Sequence, residues 1–124
     1  TDLGIGIYLL SKGCSKYNAC DVNDIMKSTP ESFYDDLFRA LEGMKGKADI
    51  NFLKDQLREA KAGRPSRLNY VIRKDFDILS AFGAGTIDLV FSQAAFEHFD
   101  DIDATISQLS SVCRPGAKIA VLIA

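Results

Sequence analysis

Histidine and cysteine are scarce in this sequence: 124 residues hold one histidine, His98, and three cysteines, Cys14, Cys20 and Cys113. There is no Cys-x-x-Cys pair, and one imidazole cannot complete a zinc site with cysteines so spaced, so no metal site is predicted. An odd cysteine count also argues against a disulfide framework and predicts a reduced, intracellular protein. No apolar run approaches the roughly 18 residues that cross a bilayer, and the start lacks the charged and apolar regions of a secretion signal. The prediction is a cytoplasmic chain with no membrane partner. Positive charge is not in excess either. Fifteen Lys and Arg against seventeen Asp and Glu give a net charge of -2, without the basic surplus that phosphate-backbone binding uses, so nucleic acid is not a predicted partner. The local cluster Arg64, Arg67, Arg73 and Lys74 runs into Asp75 and Asp77 and reads as solvated surface. Repeats, low-complexity tracts and linkers are also missing, which predicts a single domain over 1–124. The 47% apolar content is enough for one packed core. The chain opens at Thr1 without a methionine and stops at Ala124 inside an apolar run, so it reads as a fragment or processed product.

Periodicity supplies the elements. Leu3, Ile7 and Leu10, with Ile5 and Leu9, suit a short helix from Leu3 to Lys12 that begins at a glycine-containing turn and stops at Gly13. The stretch Tyr17 to Val22 reads as a buried strand bounded by a turn at Asn23-Asp24. Ser28-Thr29-Pro30-Glu31 combines a capping-box pattern with proline at the first helical position. It opens a helix over about 30–43, with Phe33, Leu37, Phe38 and Leu41 on one face. Asp49 can cap a further helix whose face is Ile50, Leu53, Leu57 and Ala60 and which ends at Gly63. Leu68 to Ile72 is a strand, and Thr86 to Ser92 is the clearest strand of the chain. A helix from about Asp101 to Cys113 turns Ile102, Ile106, Leu109 and Val112 inward, then Pro115-Gly116 turns into a strand from Lys118 to Ile123. Strands alternating with helical segments predict a mostly parallel α/β sheet covered by helices on both faces.

In a doubly wound sheet, ligands bind beyond the carboxyl ends of the strands, so residues just after each strand are the candidates. At Thr1-Asp2-Leu3-Gly4-Ile5-Gly6, glycines at a helix mouth let a ligand approach backbone N–H groups; the alternative is small residues for close packing. Asp21 lies at a strand end, 17 positions after Gly4, where a carboxylate can accept from both ribose hydroxyls of a nucleoside; the alternative is a solvated acid. Beyond the Leu68 strand, Asp75 can meet an adenine amino group and Phe76 can pack on the base, unless Phe76 is an ordinary core residue.

The segment Ile87-Asp88-Leu89-Val90-Phe91-Ser92-Gln93-Ala94-Ala95-Phe96-Glu97-His98 resembles class I S-adenosylmethionine-dependent methyltransferases, whose fourth strand ends in a small polar residue and runs into a Glu-His pair. The stretch Leu109 to Arg114-Pro115-Gly116-Ala117 is similar to the family's turn into its fifth strand, with Ala117 where a second glycine is common. Thr1 to Leu10 is similar to the stretch directly after the family's acidic, glycine-rich first motif, and Asp21 falls where the ribose-binding acid belongs. The resemblance implies a Rossmann-like doubly wound fold, here incomplete because the family's first strand would precede Thr1. It further implies S-adenosylmethionine as cofactor and methyl transfer to an unidentified acceptor. Thr1, Asp2, Gly4 and Gly6 then lie near the methionine end, Asp21 and Val22 at the ribose and adenine edge, Asp75 and Phe76 at adenine, and Ser92 and Gln93 beneath the sulfonium.

His98, the one imidazole, is the candidate general base should the acceptor be a hydroxyl or an acid; the alternative is a loop-holding hydrogen bond, and Glu97 reads as a helix-start charge. Two other functions compete. Gly4, Gly6 and Asp21 mimic the fingerprint of nicotinamide-dinucleotide oxidoreductases, although Leu9 stands where the third glycine belongs. A catalytically inert Rossmann-like interaction module is the other, and strand edges exposed by a missing first strand would favour self-association.

Overall fold

The computed structural model describes residues 2–44, 48–93 and 99–122, and the chain divides into two compact units, Thr1–Phe76 and Asp77–Ala124. The first unit begins with α1 (Gly4–Ser11), β1 (Tyr17–Asp21), α2 (Ile25–Ser28) and α3 (Glu31–Glu42), and ends with α4 (Ile50–Lys61) and β2 (Leu68–Ile72). Strands β1 and β2 pair in parallel without a register shift, from Tyr17 opposite Leu68 to Asp21 opposite Ile72. A parallel pair needs a long crossover, and α2, α3 and α4 fill it.

Its core is built from helix faces laid against the pair. Leu3 and Ile7 of the α1 region, Tyr34, Phe38 and Leu41 of α3, Leu53 and Leu57 of α4, and Leu68 of β2 are all buried. Burying one such side chain stabilises by about 1.5–3 kcal/mol, which is why these faces and not helix propensity hold the unit together. The cap predicted at Asp49 is present: its carboxylate accepts from the Phe52 N–H at 3.0 Å. Helices α1 and α4 end alike. Gly13 and Gly63 take positive φ (102° and 70°), and the next amides, Cys14 and Arg64, reach back to the carbonyls of Leu9 and Glu59 at 3.1 and 2.9 Å.

Two predictions for this unit need correction, and one short helix lies outside the predicted elements. The turn at Asn23-Asp24 leads into the short helix α2, because Asp24 accepts from the Lys27 N–H at 2.9 Å and so caps it. Ser28 and Thr29, predicted to cap the following helix, instead donate their hydroxyls back to the Ile25 carbonyl at 3.0 Å each. Pro30 accordingly occupies the N-cap of α3 (φ −63°, ψ 145°), one residue before the helix. The buried face of α3 is Tyr34, Phe38 and Leu41, with Phe33 at its margin, edge-on to the Tyr34 ring at 5.3 Å. The face rotates toward Tyr34 because its hydroxyl finds a partner inside, donating to the Asp2 carbonyl at 2.9 Å.

The second unit contains α5 (Ile78–Phe82), β3 (Ile87–Gln93), α6 (Ile102–Val112) and β4 (Cys113–Leu122). Strands β3 and β4 are also parallel, Leu89 facing Lys118 through to Gln93 facing Leu122. Helix α5 lies outside the predicted elements; Asp77 nucleates it by accepting from the Ser80 N–H at 3.1 Å and the Ser80 hydroxyl at 2.7 Å. Asp101 caps α6 through the Ala104 N–H at 3.0 Å. Of the four residues predicted to face inward, Leu109 and Val112 are buried, whereas Ile102 and Ile106 are exposed. Pro115-Gly116, predicted as a turn before the strand, lies within β4. The register jumps from Ile87–Cys113 to Leu89–Lys118, so Arg114 to Ala117 stand outside the ladder as a bulge, where a proline without an N–H is tolerated. Arg114 holds the bulge by donating from Nη1 to both Asp88 oxygens at 2.9 Å. Ile123 lies outside the described residues.

Candidate functional site

In the first unit, the loops that leave β1 and β2 emerge at the same end of the pair, because the strands are parallel and in register. They are fastened to each other. The Arg73 N–H donates to the Asp21 carbonyl at 2.9 Å, and Lys74 Nζ donates to Asn23 Oδ1 at 2.8 Å. Asp21 ends β1, and its Oδ2 accepts from the Tyr70 hydroxyl at 3.0 Å. Tyr70 also accepts from the Ile25 N–H at 3.1 Å, which ties the start of α2 to the same point. Burial first, then the neighbouring Asp21 carboxylate, pushes the Tyr70 phenol up to about 12, so it keeps its proton at neutral pH. Val22 comes next, on the exposed side.

Asp75 and Phe76 sit in the loop after β2. Arg73 forks onto Asp75, Nε to Oδ1 and Nη2 to Oδ2, both at 2.9 Å. Phe76 is half-buried with a left-handed backbone (φ 50°), and its N–H donates to the Arg73 carbonyl at 3.2 Å. The loop is therefore a closed structure built around Arg73, which sequence reasoning placed on a solvated surface.

The mouth of α1 is also prearranged. Leu3 is buried in a left-handed conformation (φ 69°), and Asp2 Oδ1 accepts from the Gly4 N–H at 2.8 Å. Tyr34 anchors Asp2 from α3. Burial pushes the Tyr34 phenol up, and the nearby carboxylates of Asp2, Glu31 and Asp24 add to the shift, so the mouth of α1 and the loop after β1 share one acidic neighbourhood. Gly6 is buried, and a Cβ there would stand 2.4 Å from Cδ1 of the Tyr17 ring. Close packing against β1 is a sufficient reason for glycine at that position, and a Cβ at Gly4 would stand 3.0 Å from the end of the Phe33 ring.

In the second unit Ser92 is half-buried near the end of β3, opposite Val121, and Gln93 closes the strand. Thr1, Glu97 and His98 lie outside the described residues. No group of three or more His, Cys, Asp and Glu able to hold a metal occurs among the described residues, nor is any helix there long and apolar enough to cross a membrane. A groove lined by Lys16, Gly63, Arg64, Ser66, Asn69 and Tyr70 lies toward the entering ends of β1 and β2; it shares Tyr70 with the loop cluster but includes none of the residues predicted for the cofactor.

Sequence reasoning missed Tyr70, Arg73 and Tyr34. Tyr70 becomes recognisable only once the register is known: it pairs with Ala19, two residues before Asp21, and a period of two puts Tyr70 and Asp21 on one face as diagonal neighbours.

Residues 47–121, more than half of the 124-residue chain, match the family model described as methyltransferase domain. Asp75, Phe76, Ser92, Gln93 and His98 fall within the matched stretch, whereas Asp2, Gly4, Gly6, Asp21 and Val22 precede it. Neither curated proteins nor solved structures gave a match. The matched stretch contains the whole Asp88-to-Gly116 segment, and the chain therefore belongs to the methyltransferase-domain family, the class I methyltransferases that this segment resembles.

Proposed function

We propose that this chain serves S-adenosylmethionine-dependent methyl transfer, with the cofactor's nucleoside held at the carboxyl ends of β1 and β2. The observation that carries the reading is Asp21. It is a carboxylate at a strand end in a parallel pair, braced by Tyr70 and by the amide of Arg73, in a chain whose residues 47–121 match a methyltransferase domain. The donor and acceptor set fits a nucleoside. A carboxylate accepts from vicinal hydroxyls, and a half-buried aromatic ring beside a second carboxylate suits an adenine edge.

When bound, S-adenosylmethionine supplies a methyl group on a sulfonium; the protein's task is alignment and exclusion of water. Asp21 and Val22 take the ribose and its adenine edge. Asp75 and Phe76 take the base, Asp75 using the second lone pairs of oxygens that already accept from Arg73. Thr1, Asp2, Gly4 and Gly6 belong to the methionine end: Asp2 orders the turn, Gly4 leaves room for the Phe33 ring and Gly6 lets α1 sit close to β1. Ser92 and Gln93 are assigned beneath the sulfonium, and His98 is the base for a hydroxyl or acid acceptor. The family match crosses the boundary between the two units, which supports reading both as parts of one methyltransferase domain. Self-association through strand edges belongs to the same proposal and is read out by sedimentation.

Calorimetric titration of S-adenosylhomocysteine into the chain and into Asp21→Ala tests the reading. The variant should bind about 1–3 kcal/mol more weakly, the range for losing hydrogen bonds to a charged group. Unchanged affinity in a folded variant would remove Asp21 from the site. Absence of binding by the unaltered chain would favour an inert module of the same family, and tighter binding of a nicotinamide dinucleotide would favour hydride transfer.

A further inference from the structure

We infer that Tyr70 is a positioning residue for the cofactor's ribose, acting through Asp21; the inference rests on the cofactor reading above. The ring of Tyr70 packs against the core of the first unit, so the hydroxyl stands at the tip of an anchored lever. That hydroxyl has one proton and two lone pairs. The proton goes to Asp21 Oδ2 at 3.0 Å, with the Asn23 carbonyl a longer alternative at 3.3 Å, and a lone pair takes the Ile25 N–H at 3.1 Å. One group thereby fixes both the carboxylate and the start of α2. From the other side, Arg73 and Lys74 fasten the segment between them through the Asp21 carbonyl and Asn23 Oδ1.

The consequence is preorganisation. A free aspartate at a strand end samples several rotamers, and a diol that binds it must pay for ordering them. With Oδ2 engaged by Tyr70, the carboxylate meets the ribose in one orientation. Accepting from Tyr70 does not by itself saturate the carboxylate, because an oxygen that accepts from a phenol keeps a second lone pair. Tyr70 touches no reacting atom in this scheme, so its effect is confined to ligands that carry the ribose hydroxyls and to proteins that carry the Asp21 carboxylate.

The test is a double-mutant cycle read with two ligands. The unaltered chain, Tyr70→Phe, Asp21→Asn and the double variant are each titrated with S-adenosylhomocysteine and with its 2′,3′-dideoxy analogue. Tyr70→Phe keeps the ring in the core, and urea unfolding checks that each variant is folded. Loss of one hydrogen bond predicts that Tyr70→Phe binds S-adenosylhomocysteine about three- to tenfold more weakly. The same change should be close to neutral toward the dideoxy analogue and in the Asp21→Asn background. Equal losses with both ligands and in both backgrounds would mean that Tyr70 merely supports the fold, and would overturn the inference. Affinity that falls with Asp21→Asn but not with Tyr70→Phe would overturn it while leaving the cofactor reading intact. Absence of binding by the unaltered chain, or indifference to Asp21→Asn, would overturn the reading and the inference together.

Discussion

In Thr1–Phe76 the parallel pair is backed by a continuous apolar cluster drawn from α1, α3, α4 and both strands, whereas in Asp77–Ala124 only Ile78, Leu109 and Val112 are buried among the described residues. Both units pair their strands in parallel, yet Leu89, Phe91, Ile119 and Val121 of the second pair remain exposed, Leu89 at 56%. Parallel strands are apolar on both faces because they are ordinarily covered on both faces. The difference teaches that pairing and burial are separate achievements: hydrogen-bonded ladders form in both units, but the first also brings a full set of helix faces to its strands. The candidate ribose and adenine loops belong to this better-packed unit, where a rigid scaffold can hold side chains in fixed orientations.

The comparison can be broken most sharply by truncating one leucine in each unit, a core residue in the first and a strand residue in the second. Leu53→Ala, in the core of the first, should lower the unfolding free energy by about 2–5 kcal/mol, while Leu89→Ala on the exposed strand should change it by no more than about 0.5 kcal/mol. Urea unfolding gives both values, and comparable costs would show that the second pair is as well covered as the first.

A smaller effect is expected where the first unit is tightest. Gly6→Ala drives a methyl into the Tyr17 ring near its attachment to the strand and should destabilise by about 1–3 kcal/mol through overpacking. A neutral or stabilising result would mean that α1 and β1 separate easily, and would return Gly6 to a purely ligand-facing role.

The mildest effect concerns pH, and it should be confined to the first unit, which contains all four tyrosines of the chain. The phenols of Tyr34 and Tyr70 are raised above their ordinary value of 10.0, Tyr70 to about 12, so the folded state favours their protonated forms. Their contribution is fully present below pH 10 and is lost as pH rises toward 12. Stability followed from pH 9 to 12 should fall more steeply for the unaltered chain than for Tyr34→Phe/Tyr70→Phe; parallel curves would contradict the burial of these hydroxyls.

Much of this architecture is readable from the residues, and the unreadable parts have physical causes. Asp49 and Asp101 announce their helices because an aspartate before an apolar period satisfies an otherwise unpaired amide. The limits of β2 are set by apolar and aromatic residues bounded by polar ones. Helices α2 and α5 escape because four and five residues are too few to show a period, so their aspartate caps carry the whole signal. The face of α3 is misjudged because nothing in the residues alone tells that the Tyr34 hydroxyl finds a partner inside, at the Asp2 carbonyl. At the site, Asp21 is legible as an acid at a strand end. The bracing by Tyr70 and the Arg73 fork depend on register and loop closure, which single positions do not encode.

The most direct test of the cofactor site maps it residue by residue. Titration of S-adenosylhomocysteine into the 15N-labelled chain, followed by amide chemical shifts, should give saturable changes at Gly4, at Asp21 to Asn23 and at Asp75 to Phe76. The amides of Lys16, Gly63 and Ser66, around the opposite groove, should stay in place. Shifts confined to that groove, or no shifts at all in the folded chain, would contradict a nucleoside held at the carboxyl ends of β1 and β2.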